Sequence, residues 1–137
     1  MDQDNVHKLN SKIIYTVACD SALELGQITV TKGKARAFIG YESNFMIVVD
    51  PSRIGNPAKD KNFVPFREDY LYLIMSLLSG FNIKEAVERT KDFMRSQIRD
   101  YGVQGSRDRY GDAQLIRFGL FWNLYNLKVY GNDSVAV

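Results

Sequence analysis

The sequence predicts an α/β domain whose mostly parallel sheet is flanked by helices. Short runs of β-branched and aromatic residues alternate with longer segments whose apolar residues recur at helical spacing, an order typical of strand–helix–strand units. Of the 137 residues, 45% are hydrophobic and 12% are aromatic, which is enough for one domain with its own core. We therefore interpret residues 1–137 as a single domain with flexible ends at residues 1–10 and 131–137.

The composition excludes several classes of protein. One Cys and one His rule out a zinc site, a disulfide framework or an iron–sulfur cluster built from this chain alone, so we expect no metal and no cofactor. A net charge of +2 is too small to predict nucleic-acid binding. The longest uncharged run, residues 70–83, is shorter than the roughly 20 residues of a membrane span, and the acidic start lacks a signal segment. We expect a soluble, cytoplasmic protein.

The first predicted strand leads to the only cysteine. Residues 12–18 are almost uninterrupted in apolar character, which is typical of a central strand covered on both faces. The strand ends at Cys19, and Ser21 with Glu24 then forms an S-x-x-E capping-box pattern that predicts a helix directly after the cysteine. Gly33 is expected to follow the end of that helix.

Two more strands and a long loop are predicted next. Residues 35–40 and 45–49 are apolar and rich in strand-forming residues. Residues 50–65 contain three prolines and a glycine with little periodicity. An ordered domain seldom keeps a loop of this length without a use for it.

The second half is predicted to be mainly helical. Residues 67–79 show helical spacing, and the Asn82 to Glu85 segment resembles a capping box that opens a helix to about Tyr101. A glycine-rich connection follows, and Asp112 is expected to cap a further helix. Residues 127–130 are predicted to form the last strand.

Cys19 is the candidate nucleophile. Ligands bind at the carboxyl edge of parallel strands in open α/β sheets, and the positive end of a helix favours a thiolate over a thiol. The alternative is that Cys19 is a small residue retained for packing.

Around Cys19 the sequence resembles a known family. Residues 15–22, Leu25-Gly26 and the Ala35-Arg-Ala-Phe-Ile-Gly-Tyr41 run are similar to the cysteine-bearing part of caspase-like cysteine peptidases, particularly the CHAT and gingipain-related group. The resemblance covers about residues 12–95. It implies the C-terminal half of a three-layer caspase-like domain.

The resemblance also implies a Cys/His dyad in which Cys19 attacks a peptide carbonyl and its backbone N–H helps to hold the oxyanion. The family's histidine lies before the cysteine, at the end of the neighbouring strand. Here the only histidine is His7, which an extended strand would place on the order of 30–40 Å from Cys19. We therefore expect His7 to be a surface residue.

Two hypotheses follow. In the first, the chain is the cysteine-bearing portion of a cysteine endopeptidase, inactive alone, and a partner chain or missing segment supplies the histidine and covers the edge of the strand at residues 12–18. In the second, the chain is a non-catalytic module of the same fold that uses this edge for protein binding or homodimerisation.

Other polar residues are candidate binding groups. Asp20, Glu42 and Asp50 lie near the predicted active edge and could receive a Lys or Arg side chain of a substrate, or could be ordinary capping and loop acids. Arg36 needs a partner if buried, or extends to solvent from an edge.

A basic and aromatic group in the C-terminal half has the composition of a nucleic-acid surface, but its aromatic residues fall at helical core spacing. It comprises Arg107, Arg109, Tyr110, Arg117, Trp122 and Tyr125. We expect a protein or peptide partner or a homo-oligomer, with no nucleic acid and no membrane.

Overall fold

The computed structural model describes residues 5–105 and 112–137, which form a mixed α/β fold. Its sheet has the strand order β1-β2-β3, comprising β1 (Ile13–Tyr15), β2 (Ala37–Tyr41) and β3 (Leu127–Gly131). The helices are α1 (Gln27–Thr31), α2 (Val64–Leu78), α3 (Ile83–Gly105) and α4 (Asp112–Asn126), and a π-helical turn at Ala22–Gly26 precedes α1.

The sheet is mixed rather than mostly parallel, which corrects the prediction. β1 runs parallel to β2 with Ile13 opposite Ala37, whereas β3 runs antiparallel to β2 with Ala37 opposite Gly131. An antiparallel edge strand on a parallel pair is common in α/β folds. The central strand is β2, and all five of its residues are buried.

Helical segments cover both faces of β2. Its alternate residues Ala37, Ile39 and Tyr41 pack in one core with residues of α2 and α3, namely Leu73, Leu77, Ile83, Ala86 and Val87. On the other face, a Cβ added at Gly40 would lie 2.7 Å from Ser21 Oγ, beside the π-helical turn. The glycine therefore allows that turn to approach the sheet closely.

The first strand is shorter than predicted and lies at the edge of the sheet. Only Ile13–Tyr15 is a strand, and its residues are half-buried. The Thr16 N–H still donates to the Ile39 carbonyl at 3.1 Å, but the Ala18 N–H donates to Thr16 Oγ1 at 3.1 Å. This local hydrogen bond competes with the strand ladder and ends β1.

Residues 45–49 do not form the predicted strand. The Met46 N–H and C=O are both hydrogen-bonded to the side-chain amide of Asn123 on α4, at 2.8 and 2.7 Å. The Trp122 Nε1–H donates to the Asn44 carbonyl at 3.0 Å. Side chains of α4 therefore take the place of a neighbouring strand.

The two predicted capping boxes have different outcomes. Ser21 makes no capping bond, because its Oγ accepts from the Tyr41 N–H at 3.3 Å and so links the turn to β2. The second box is confirmed: the Glu85 N–H donates to Asn82 Oδ1 at 2.9 Å and the Asn82 N–H donates to Glu85 Oε2 at 3.3 Å. The helix that follows extends past Tyr101 to Gly105.

The remaining loops were partly predicted. The long loop contains 3-10 turns at Pro51–Arg53 and Pro57–Lys59. The predicted glycine-rich connection falls partly on residues 106–111, including Arg107, Arg109 and Tyr110, which lie outside the described residues. The C-terminal tail meets the start of α3, where the Ile83 N–H donates to the Val135 carbonyl at 3.0 Å.

Candidate functional site

Cys19 lies on an exposed turn between β1 and the π-helical turn, and it forms no disulfide. The next residue, Asp20, has a φ of +53°, which a non-glycine residue seldom adopts. The Asp20 N–H donates to the Ser43 carbonyl at 3.3 Å. This contact ties the cysteine turn to the segment that follows β2, so the ends of β1 and β2 lie side by side.

The outer edge of β1 is open. The Lys12 carbonyl and the Thr16 N–H both bond to the β2 side, through the Arg36 N–H at 2.8 Å and the Ile39 carbonyl at 3.1 Å. Because the peptide groups of a parallel strand alternate in direction, those of Ile13 and Tyr15 point away from β2. In the part of the chain that the structure describes, no strand pairs with that side. Cys19 thus follows an unpaired sheet edge.

The structure does not bring His7 to Cys19. His7 is exposed in the 3-10 turn Val6–Leu9, which precedes β1, whereas Cys19 follows the opposite end of that strand. The strand therefore lies between the two side chains along the chain. The arrangement provides no dyad from these two residues.

The predicted substrate-binding acids have separate surroundings. Asp20 is exposed, and Glu42 accepts a hydrogen bond from the Tyr130 hydroxyl at 2.8 Å while lying 3.7 Å from Lys128 Nζ. Asp50 caps the 3-10 turn by accepting from the Ser52 hydroxyl and N–H at 2.7 and 2.9 Å. These bonds from Ser52 lower the pKa of the Asp50 carboxyl. Of these three acids, Asp20 and Glu42 are the two that lie on neighbouring segments, because the Asp20 N–H is bonded to Ser43, the residue after Glu42.

Arg36 is exposed, as expected for a side chain that extends to solvent, and it directly precedes β2. Its guanidinium therefore needs no buried counter-charge.

A buried polar cluster under the carboxyl ends of β1 and β2 was missed by the sequence analysis. It consists of Asp69 on α2, Tyr15 at the end of β1 and Tyr41 at the end of β2. Asp69 is 2% exposed, and within the described residues neither of its carboxyl oxygens nor the Tyr15 hydroxyl has a well-aligned hydrogen-bond partner. The Tyr41 hydroxyl interacts with the Tyr15 hydroxyl, but the two do not form a well-aligned hydrogen bond.

Burial dominates the electrostatics of the cluster. It raises the pKa of Asp69 to about 8, with a smaller effect from the charge of Glu68. It also raises the pKa of Tyr15 to about 12 and that of Tyr41 well above its ordinary value. Asp69 is consequently held mainly as the neutral acid at pH 7, because an unpaired charge is costly in an apolar interior.

The helical spacing of α2 contains the signal that identifies Asp69. Phe66, Asp69 and Leu73 recur at three- and four-residue intervals, and all three are buried. A carboxyl on the apolar face of an amphipathic helix is a candidate for a perturbed pKa.

Comparisons with known proteins identify no relative of this chain. No family model matches the chain, and no curated protein and no solved structure matches it significantly. Among residues 5–105 and 112–137, no group of three or more His, Cys, Asp or Glu side chains is placed to hold a metal ion. No helix in the same two ranges has the length and apolar character needed to cross a membrane.

Proposed function

We propose that this chain is the cysteine-bearing portion of a caspase-like cysteine endopeptidase of the CHAT type, and that a second chain or segment completes it along the open edge of β1. The observation that carries the proposal is the position of the exposed Cys19 four residues after the end of β1, a strand whose outer side pairs with no other strand among the described residues. A strand added there would bring its own end beside Cys19. The three-layer caspase-like architecture is part of this proposal.

The outward face of α2 supports the existence of such a partner. Tyr72 stacks on Phe93 of α3 with ring centroids 4.6 Å apart, so α3 covers one flank of α2. The solvent face of α2 nevertheless carries exposed apolar side chains, Leu71, Met75 and Leu78. A helix that is apolar on its outer as well as its inner face is typical of a helix buried in a larger assembly.

In the proposed reaction, a histidine from the partner removes the proton from Cys19 Sγ, and the thiolate attacks a peptide carbonyl. The C–N bond breaks, the departing amine takes the proton from the imidazolium, and a water then hydrolyses the thioester and regenerates the thiol. The backbone N–H of Cys19 is the proposed donor to the oxyanion. Asp20 and Glu42 are the proposed acceptors of a basic substrate side chain.

The test is thiol-dependent peptide hydrolysis by the native assembly, recovered through an affinity tag on the full chain. Cys19→Ser is expected to abolish hydrolysis, and His7→Ala is expected to preserve it because the histidine comes from elsewhere. Ile13→Pro removes an outward N–H of β1 and is expected to prevent completion of the sheet. Its matched control, Ile13→Ala, also loses the side-chain packing of Ile13 but keeps the N–H.

Two outcomes contradict the proposal. One is a purified chain that cleaves peptides alone with a Cys19-dependent burst, since then no partner is needed. The other is loss of activity in His7→Ala.

The second candidate is a non-catalytic interaction module that uses the same edge. It is favoured by the separation of His7 from Cys19. It predicts that Cys19→Ser leaves the assembly intact and that the wild-type assembly hydrolyses no peptide.

A further inference from the structure

The charged residues are unevenly distributed along the chain. Residues 5–12 and 31–36 contain five Lys and Arg residues and no Asp or Glu, in a chain with 18 basic and 16 acidic residues. Asp2 and Asp4 lie outside the described residues, and counting both of them still leaves residues 1–12 and 31–36 together with a net charge of +3. The expectation of no nucleic-acid partner used the net charge of the whole chain, which does not show this local excess.

The fold brings the two basic segments together at the amino ends of β1 and β2. The Ser11 N–H donates to the Lys34 carbonyl at 3.0 Å, and the Arg36 N–H donates to the Lys12 carbonyl at 2.8 Å. Gly33 permits this close packing, because a Cβ there would lie 2.6 Å from a carbonyl oxygen of the first segment. The two segments therefore form one continuous surface.

Four cations of this surface are exposed, and we call them the basic end: Lys8, Lys12, Lys34 and Arg36. None of the four forms an ion pair with another residue in the ranges that the structure describes. Asp133, the acidic residue of the adjoining C-terminal tail, lines a different cavity together with Lys84 and Lys128. The positive charge of the basic end is therefore available to an anionic ligand.

Strained backbone lies at the centre of the basic end. Ser11 and Lys34, which share the hydrogen bond described above, have φ values of +61° and +54°. Residues other than glycine seldom adopt such values. Strain of this kind is found preferentially at binding and catalytic sites, where the surrounding structure holds it in place.

A shallow cavity at the basic end provides a place for one phosphate group. It has a volume of about 320 Å³ and is lined by Ser11, Lys12 and Arg36, together with Ile13 and residues 136–137. A guanidinium can bind two oxygens of a phosphate at once, and an ammonium adds a second positive charge. The cavity therefore combines two of the groups with which proteins bind phosphate.

We propose that the basic end binds the phosphate backbone of a double-stranded nucleic acid without sequence preference. Such binding needs positive side chains and no apolar anchor. Among the described residues, no exposed large hydrophobic side chain lies within residues 5–12 or 31–36, whereas membrane and protein surfaces are usually bound with apolar anchors. Neither segment contains an aromatic residue, so the stacking platform of a single-strand site is missing.

Four phosphate contacts determine the expected dependence on salt. The logarithm of the affinity is expected to fall by about 3.6 for each tenfold rise in salt, because each contact releases about one counterion. The affinity should therefore fall roughly a hundredfold between about 50 and about 200 mM salt. Cys19 follows the opposite end of β1, so this inference is independent of the proposed function.

The test is fluorescence anisotropy of labelled DNA and RNA duplexes of about 20 base pairs, titrated with the untagged full chain over this range of salt. The wild type is expected to bind both duplexes. Lys12→Gln combined with Arg36→Gln is expected to weaken binding about tenfold or more and to halve the salt dependence. Lys59→Gln combined with Lys61→Gln, which removes the same charge from an exposed loop, is the control and is expected to change binding by less than about threefold.

A further variant separates the charge from the stability of the fold. Lys34→Gly is expected to weaken binding severalfold without lowering the melting temperature, because glycine adopts a positive φ without strain. A wild type that binds neither duplex at about 50 mM salt overturns the inference. So does an equal loss of affinity in the two Gln pairs, or tighter binding to phosphatidylserine vesicles than to either duplex, which would assign the basic end to a membrane surface.

Discussion

The side-chain amide of Asn123 makes both backbone hydrogen bonds of Met46. Asn123 Nδ2 donates to the Met46 carbonyl at 2.7 Å, and the Met46 N–H donates to Asn123 Oδ1 at 2.8 Å. An amide side chain presents a donor and an acceptor in the arrangement that a neighbouring strand would offer. Because Asn123 is fully buried, this contact joins the segment after β2 to α4.

Replacing Asn123 by Ala is expected to lower the free energy of unfolding by about 2–4 kcal/mol, since it leaves both polar groups of Met46 without a partner. Urea unfolding at neutral pH measures the change. Asn62→Ala is the control, because that side chain donates one long bond, 3.3 Å to Asp112 Oδ2, at the surface. A loss in Asn123→Ala no larger than in the control would contradict the assigned role.

Asp69 is expected to make the chain less stable as the pH rises from about 4 to about 8. An unfolded Asp has a pKa of about 3.9, whereas burial raises that of Asp69 to about 8 in the fold. Between these values the folded state keeps a proton that the unfolded state has released, so raising the pH favours unfolding. Below about pH 4 and above about pH 8, the effect of Asp69 on the free energy of unfolding no longer changes with pH.

The effect is measured as the difference between the wild type and Asp69→Asn in urea unfolding across this pH range. As the pH rises, the free energy of unfolding of the wild type is expected to fall by several kcal/mol relative to that of Asp69→Asn. Asp100→Asn, the same substitution at an exposed position of α3, is the control for effects that do not depend on burial. A pH-independent difference for Asp69→Asn would refute the raised pKa.

Gly131 at the end of β3 is expected to tolerate no side chain. Its φ is +90°, and an added Cβ would lie 2.5 Å from the Arg36 carbonyl oxygen. Gly131→Ala is therefore expected to cost about 1–3 kcal/mol of stability. Gly55→Ala is the control, because a Cβ there meets nothing within 4 Å and is expected to be neutral or slightly stabilising. Thermal unfolding of the two variants compares them, and equal melting temperatures would contradict the argument.

The capping box at the start of α3 is expected to contribute about 1 kcal/mol. Asn82→Ala removes the acceptor of the Glu85 N–H, whereas Asn82→Asp keeps it and places a negative charge at a helix N-terminus. Urea unfolding should therefore show a loss in the first variant and none in the second. A loss of the same size in both variants would mean that Asn82 acts through contacts other than the cap.

The elements predicted well from the sequence are those whose structure depends on local signals. The apolar run that contains β2, the helical spacing of α2 and the Asn82–Glu85 box each act within a few residues, and each is present in the fold. The helix after Cys19 also begins where expected. Its first turn is π-helical, since the Gly26 N–H donates to the Ser21 carbonyl at 3.0 Å. The Ser21 Oγ accepts from the Tyr41 N–H instead of capping the helix.

The features that could not be predicted from the sequence depend on contacts between residues that are far apart in the chain. Met46 is held by a side chain 77 positions away, so residues 45–49 have the composition of a strand without a strand neighbour. The prediction of Cys19 as a candidate site came from its place after an apolar run. The buried cluster was hidden because Tyr15, Tyr41 and Asp69 come from three separate elements.

The most direct test of the proposed function is the reaction of Cys19 with a peptidyl acyloxymethyl ketone, followed by mass spectrometry of the modified cysteine. This reagent needs an activated thiolate positioned beside a substrate groove. The account predicts a Cys19 adduct in the native assembly and none in the isolated chain, with iodoacetamide reaching the exposed thiol in both. Rapid adduct formation in the isolated chain, or none in an assembly whose Cys19 still reacts with iodoacetamide, would contradict it.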